Sequence, residues 1–549
     1  MKKYILFSIC IVFVTNLFSQ TKTMNRSYVP LQHSELGSTA LNGIVINQWT
    51  AFKYDAHTEE WQQVLFQIDE RDHKDRYNRD DQDDIADSND VVVVMPKDLG
   101  DQAPASVWLP EADRNTERIE LAFTDSLDGG QGWVYLYQHT PDYPVPFYVW
   151  HAAAPEDAPA ADTVKSDNYS IAHNAQGWLD YIALSENPGV DLIDRLKLRL
   201  AGSNPGLFIS RYVIHENYIE PGDPPVQFTP GPIRAFQTVK AKISLDFLSI
   251  PFLPKYADSP YHFQYFPYSF EIDGETDLES GLLALFGLKT LRQSLDMSPA
   301  ASGMVFYSAD NPDGYVVDGE TDSPDLDFTG DTNYNWVMVS GDQGTIVLLF
   351  DLPDIPKSTK KIYYRDNKNS SETNDDTPDT GDMESYGDMG IWVQATGDAL
   401  VTSDLAVSFI GYFLPATNQT AQLGEQLAAW QASPPVMQAE KQSYEVSTVQ
   451  RSGTPKAFNV APMYPNPFYP NATQATMNIR NDGRSFVDVR IVNVLGQEVK
   501  NWQLSGDARQ HNIRWNGRHE DGQPVPSGVY FVTVNATDFN WSQKLIVTR

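Results

Sequence analysis

Runs rich in Val, Ile, Tyr and Phe recur along the chain between clusters of Gly, Asn, Asp and Pro, among them RIELAF, GWVYLYQ, FYVWH, GTIVLLF and DLAVSFIGYF. Several alternate with polar residues, and a period of two is what a half-buried strand requires, because successive side chains point to opposite faces. Apolar positions at helical spacing appear chiefly in LESGLLALFGLKTLRQSL and LGEQLAAWQ, which predicts helices there. The pattern as a whole predicts a mainly β, multi-domain protein built from β-sandwiches.

Breaks in this pattern divide the chain. HAAAPEDAPAADTVKSD, residues 151–167, is rich in Ala and Pro between two strand-dense regions, and ASPPVMQAEKQSYEVSTVQRSGTPKAFNV has no sustained apolar period. The opening MKKYILFSICIVFVTNLFSQ has two lysines, a short apolar run and a polar end, the build of a secretory signal peptide. The expected order is a signal peptide over 1–20, a β-rich domain with an acidic loop over 21–160, a larger β-sandwich over 161–431, a linker over 432–460 and a terminal domain over 461–549. No later run approaches about 18 apolar residues, so no membrane span is expected once the signal is removed.

The terminal domain opens on YPNPFYPN and continues through ATMNIR, SFVDVRIVNVLGQEVKNWQL, RQHNIRWNGRHEDGQPVPSGVYFVTVNA and WSQKLIVTR. About seven short strands fit here, which predicts an immunoglobulin-like sandwich. Pro465, Pro467 and Pro470 carry no N–H to give to a ladder, so the opening segment is expected at an edge.

Length, charge and cysteine content narrow the classes of function. The 549 residues suffice for several domains. Formal net charge is -33; from Ala461 onward nine Lys/Arg stand against seven Asp/Glu, or +2, which leaves -35 for the rest. Such a field repels nucleic acid and anionic membranes, whereas divalent cations or basic partners suit it, as does solubility in a salty habitat. The single cysteine, Cys10, lies inside the apolar opening, so the mature chain has neither a disulfide nor a cysteine nucleophile.

YPNPFYPN, VRIVNVLGQEV, WNGRHEDGQPVPSGVYFV and QKLIVTR together resemble the type A C-terminal sorting domain of the type IX secretion system, and the sandwich is similar to the immunoglobulin-like domain of flagellar hook-capping proteins. Tyr464, Pro465, Asn466, Pro467, Gly496, Gly517, Gly522, Gly528, Tyr530 and Lys544 fall on the motif. The resemblance implies passage through the type IX translocon, removal of the tail by a sortase-like peptidase, and cargo that is secreted or held at the outer cell surface. The same glycines and tyrosine would also keep turns and core in any small sandwich.

Candidate chemistry in the cargo is sparser. In RDHKDRYNRDDQDDIADSNDVVVV, placing Asp83 fifth in a calcium loop puts Asp81 third, Asp87 ninth and Asp90 twelfth. The first position is then Arg79 and the usual glycine position is Asp84, with Asn78 or Asp80 as substitute oxygens. A solvated acidic loop is the alternative. DNKNSSETNDDTPDTGDMESYGDMG, with Asp366, Asp375, Asp376, Asp379, Asp382 and Asp388, reads as a long ion-ordered loop or a polar segment without fixed structure. Asp273, Asp277, Asp318, Asp322, Asp325 and Asp327 flank two Asp-Gly turns and read the same way.

YADSPYHFQYFPYSF holds eight rings in fifteen residues, counting His262; the rings could stack on glycans, but the two-residue spacing of Phe263/Tyr265 and Tyr268/Phe270 favours a buried face. His215 in HENYI lacks the second histidine of a zinc protease helix, and His33, His57, His73, His139, His151 and His173 show no ligand spacing. The cargo is therefore expected to be a calcium-stabilised β-sandwich binding module, for glycans among other ligands; the alternative is a carbohydrate-active hydrolase or lyase with a pair of carboxylates.

Overall fold

The computed structural model describes residues 20–548 except 72–82, 139–144, 153–161, 175–176, 208, 245–254, 259, 275–286, 328–334, 352–356, 370–384, 398–399, 401–406, 417–418, 445–458, 471–473, 481–485, 506–509 and 537–538. The chain divides into two compact units, Met1–Val446 and Ser447–Arg549. Every sheet among the described residues pairs antiparallel, so the mainly β reading stands.

The larger unit centres on two sheets. One runs in the order Ile209–His215, Ile193–Asn204, Leu288–Met297, Ser385–Ala395, Ser358–Asn367. The other is ten-stranded and runs from Ile219–Thr229 through Tyr261–Tyr265, Val407–Leu414 and Gly344–Asp351 to Asn311–Val316. Leu196, Leu200, Leu291, Met389 and Ile391 from the first share one core with Phe263, Ile272, Val339, Leu348 and Phe409 from the second. A four-stranded sheet, from Leu179–Leu184 to Val149–Ala152, adds Val164, Ile171 and Ile182.

The reverse face of the ten-stranded sheet is apolar as well, which is why NWVMV and GTIVLLF read as continuous apolar runs. Trp336, Met338, Val347, Leu349 and Tyr412 on that face are covered by the helix Ala421–Ala432 through Leu423, Leu427 and Ala428. Gly424 permits the close approach: a Cβ there would lie 2.3 Å from the Trp336 ring. This helix is the one that LGEQLAAWQ predicts.

The second predicted helix is corrected. Its first part falls outside the described residues, and Leu288–Met297 is a strand in the middle of the five-stranded sheet. Buried on both faces, that strand shows no period of two, and a continuous apolar run does not by itself distinguish strand from helix. The expected linker also changes. Val436–Gln442 pairs with Arg118–Thr124 and completes a sheet near the start of the chain; Met437 enters that core while Val436, Gln438 and Glu440 are exposed.

The smaller unit is a two-sheet sandwich of seven strands among the described residues. Asn459–Val460, Ala475–Arg480 and Gln510–Trp515 form one sheet, and Glu498–Ser505, Phe486–Asn493, Gly528–Ala536 and Phe539–Val547 the other. Alternate residues Val487, Val489, Ile491, Val532, Val534 and Leu545 fill its core with Met477, Ile479 and Trp515.

Candidate functional site

In the terminal sandwich the proline segment lies along the last strand, at the edge where its sequence places it. Phe468 donates its N–H to the Ile546 carbonyl at 2.7 Å, and its own carbonyl accepts from Thr548 at 2.9 Å. Pro465 and Pro467 cannot donate, and the Asn466 side chain supplies the missing pairing: Nδ2 donates to the Lys544 carbonyl at 2.8 Å and Oδ1 accepts from Ile546 N–H at 2.9 Å. Tyr464 bonds Thr476 in both directions at 2.9 and 2.8 Å and leaves its ring 73% exposed.

The remaining motif residues sort into inside and outside. Tyr530 is buried, its hydroxyl donates to the Pro526 carbonyl at 2.8 Å, and its ring meets Trp515 edge-on at 6.0 Å; this is the tyrosine-corner arrangement of immunoglobulin-like sandwiches. Gly517 adopts a φ of +71°, and a Cβ there would meet Pro470 at 2.6 Å, so it locks the opening segment against the following turn. Gly496 and Gly522 also stand at positive φ in turns, whereas Gly528 does not. Lys544 is exposed and pairs across the sheet with half-exposed Phe531.

In the larger unit the acidic loop is only partly described: Asp81, Arg79, Asn78 and Asp80 lie outside the described residues. Glu70 accepts the N–H of Asp83 and of Asp84 at 2.9 and 2.8 Å. Asp90, 1% exposed, accepts from Arg71 and Asp87 at 2.9 and 2.8 Å. Asp83 and Asp87 cap the turns that follow them, at Ile85 and Asn89. Burial, with the nearby Asp87 and Asp83 charges added, pushes the Asp90 carboxyl above its usual range, and Glu70 is raised in the same way beside Asp90 and Asp84. Asp84 holds the left-handed turn at φ +61° that a glycine usually takes in such a loop. Among the described residues no group of three or more His, Cys, Asp or Glu is arranged to hold a metal ion.

The other clusters move as well. Asp366 and Asp388, expected in a polar loop, stand on paired strands and are buried. Asp366 accepts the N–H groups of Asp318, Gly319 and Gly387, so it organises one of the two Asp-Gly turns. Asp375, Asp376, Asp379, Asp382 and Asp277 fall outside the described residues. The ring-rich segment turns inward: Phe263 and Tyr265 are at most 1% exposed in one core, as their two-residue spacing predicts, and Phe270 joins them, whereas its expected partner Tyr268 is only partly buried and packs, near buried Phe266, against a different cluster.

Sequence spacing missed one constellation. Asp162 receives His173 Nδ1 at 2.7 Å on one oxygen, and His151 Nε2 at 2.9 Å and Gln237 Nε2 at 2.8 Å on the other. The Tyr265 hydroxyl donates to Gln237 Oε1 at 2.9 Å and lies 3.0 Å from His173 Nε2. Burial alone would raise Asp162, but the two imidazoles hold it well below the usual carboxylate range. These contacts join the five side chains in one network, which pins the four-stranded sheet to the ten-stranded one. Its one visible signal was His173 at an inward position of YSIAH.

A cleft of about 390 Å³ opens at one end of the ten-stranded sheet, lined by Ser302, Tyr307, Ser340, Asp342, Gln343 and Thr420 with their neighbours. Gln343 Nε2 donates to the Ala300 and Ser302 carbonyls at 3.0 Å each, which fixes the amide at the rim. Asp342 is the one carboxylate in the lining, and the other side chains are hydroxyls, amides, a phenol and an apolar Val305. Among the described residues no helix is long and apolar enough to cross a membrane.

An immunoglobulin-like sandwich laced shut by its own opening segment is a terminal module with a fold and core of its own. Residues 463–548 match the family model of the secretion system C-terminal sorting domain; the protein carries the sorting tail of the type IX system and is exported to the cell surface or the extracellular space. No curated protein matches the chain. Among solved structures it is similar to dimeric latent PorU from Porphyromonas gingivalis, 12% identical over 90% of this chain and 40% of that one, TM-score 0.14. It is also similar to PorZ, a surface component of the type IX secretion system of the same bacterium, 12% identical over 73% of this chain and 51% of that one, TM-score 0.13. The chain thus spans 40% and 51% of those two structures, and likeness at such scores carries no argument.

Proposed function

We propose that residues 21–446 act outside the cell as a binding module for neutral, hydroxyl-rich ligands, glycans foremost, and that the tail which delivers them is removed by a sortase-like peptidase. The observation that carries the reading is the lining of the cleft. Hydroxyls, the fixed Gln343 amide, one carboxylate and the Tyr307 ring offer hydrogen bonds to sugar hydroxyls and an apolar surface for a sugar face. Hydrolysis by the usual route requires two carboxylates about 5–9.5 Å apart, and among the described residues this lining has Asp342 alone.

Calcium belongs to the same reading. Burial first, and then the charges of Asp83, Asp84 and Asp87 around them and of Asp90 on Glu70, raise Glu70 and Asp90, and a divalent cation there would stabilise both as carboxylates.

The full chain is passed over a polysaccharide array with calcium and with EDTA, with retention and released sugar ends both measured. Retention that Asp342→Asn and Tyr307→Ala abolish is the expected result, and release of product would replace the module with an enzyme. Melting of the full chain at one temperature in calcium and in EDTA would remove the calcium part.

A further inference from the structure

We propose that Lys197 and Asp296 join in a spontaneous isopeptide bond, with Asp388 relaying the proton, so that the strands Ile193–Asn204 and Leu288–Met297 become covalently linked.

The three side chains come from three successive strands of the five-stranded sheet. Lys197 Nζ lies 2.9 Å from Asp296 Oδ2 and 3.3 Å from Asp388 Oδ2. All three side chains are 0% exposed. Their placement follows from register. Ser294 is the partner of Lys197 on one side and of Gly390 on the other, so Asp296 and Asp388, each two residues from those partners, reach the same spot on the same face.

A dry site makes this contact reactive as well as attractive. Burial favours the neutral forms of both an amine and a carboxylic acid, and a neutral amine against a neutral carboxyl is the pair that forms an amide. Asp388 is held ionised against its burial by the Lys197 and Arg292 charges, which leaves it as the base. It carries a first proton from the Lys197 ammonium to the Asp296 carboxylate, so that a neutral amine faces a neutral carboxyl; the freed lone pair attacks Asp296 Cγ and the Cγ–N bond forms. Asp388 then carries a second proton from that nitrogen to the Asp296 hydroxyl, which leaves as water as the Cγ–O bond breaks, and no oxidant, reductant or activated group is required. Held at contact distance, the two groups also avoid the entropic cost of encounter.

Charge accounting favours the product. Before reaction the site holds two cations, Lys197 and Arg292, and two carboxylates, Asp296 and Asp388, all at most 2% exposed. Afterwards the amide is neutral, and Asp388 keeps the Arg292 charge beside it, so half of the costly buried charge is gone. An exported unit whose chain contains Cys10 as its sole thiol has no disulfide with which to staple itself, and this bond would serve in its place.

Tryptic digestion of the purified full chain tests the bond directly. Trypsin does not cut after an acylated lysine, so a linked chain yields Leu196–Arg199 attached through Lys197 to the peptide that begins at Gln293, lighter than their sum by one water. The branched peptide is expected from the native chain and from neither Lys197→Arg nor Asp388→Asn, with the fold of each checked by near-ultraviolet circular dichroism. Linear peptides alone from the folded native chain overturn the proposal, and so does a water loss that maps to a cyclised aspartate or to a Lys197–Asp388 branch. A branch that persists in folded Asp388→Asn overturns the relay. Should the variants fail to fold, the native digest still decides whether the bond exists.

Discussion

Asn466 Oδ1 accepts the backbone N–H of Ile546 at 2.9 Å, while its amide nitrogen donates to the Lys544 carbonyl two residues away at 2.8 Å. One side chain thus performs the pairing that the flanking prolines cannot. Asn466→Ala is expected to cost the terminal sandwich about 1–2 kcal/mol, to speed hydrogen exchange at Ile546 and to lower the amount of protein exported. Unchanged exchange at Ile546 would show that the segment holds to the last strand without it.

The Tyr530 hydroxyl donates to the Pro526 carbonyl from a ring otherwise enclosed in core. Tyr530→Phe keeps the ring contact with Trp515 and removes the hydrogen bond, for an expected loss of about 1 kcal/mol. Urea unfolding followed by tryptophan fluorescence reads it. If the loss is confined to stability and export per folded molecule is normal, Tyr530 is a core residue rather than a receptor contact.

Asp162 is held ionised by His151 and His173 against the penalty of burial. A carboxyl depressed in the folded state contributes stability that is present above the unfolded value of about 4 and is lost as pH falls through the lower folded value. Asp162→Asn is therefore expected to destabilise the larger unit by about 3–5 kcal/mol at neutral pH, with the gap closing only in strong acid. A constant gap in urea midpoints down to the lowest pH that the fold survives would count against the charge as the cause.

Asp191 behaves in the opposite sense. Burial first, then the Asp180 and Asp194 charges, raise its carboxyl to about 6, although the Ile182 and Ile193 N–H groups partly offset this. Its contribution is full below the unfolded value of about 4 and is lost as pH rises through about 6. Asp191→Asn retains an acceptor oxygen and has no charge to lose, so it is expected to melt above wild type at pH 8 and level with it near pH 4. Melting curves across that range decide the matter.

The interior of the larger unit was harder to read than its strands. LKTLRQSLDM looks helical because Leu288, Leu291 and Leu295 recur at three and four, yet it is paired on both edges and buried on both faces as a central strand. Strand formation there is imposed by partners about ninety residues away on either side, and local spacing does not register them. His151 and His173 were invisible as a pair for a like reason. Their meeting depends on two hairpins whose register brings the ends of three strands to Asp162. Asp366 and Asp388 sat in what composition marks as a polar loop, and antiparallel pairing drew them inside.

The sequence by itself determined the tail: proline, glycine, tyrosine and alternating apolar residues are local instructions, and they specify the same seven-stranded sandwich and the same sorting address whatever precedes them. It also determined the charge contrast between tail and cargo and the single cysteine, Cys10. Only the tertiary structure decided which charges meet. Lys197, Asp296 and Asp388 share one dry site because three distant strands settle in one register, and register is set by the burial of whole faces rather than by any neighbour in the chain.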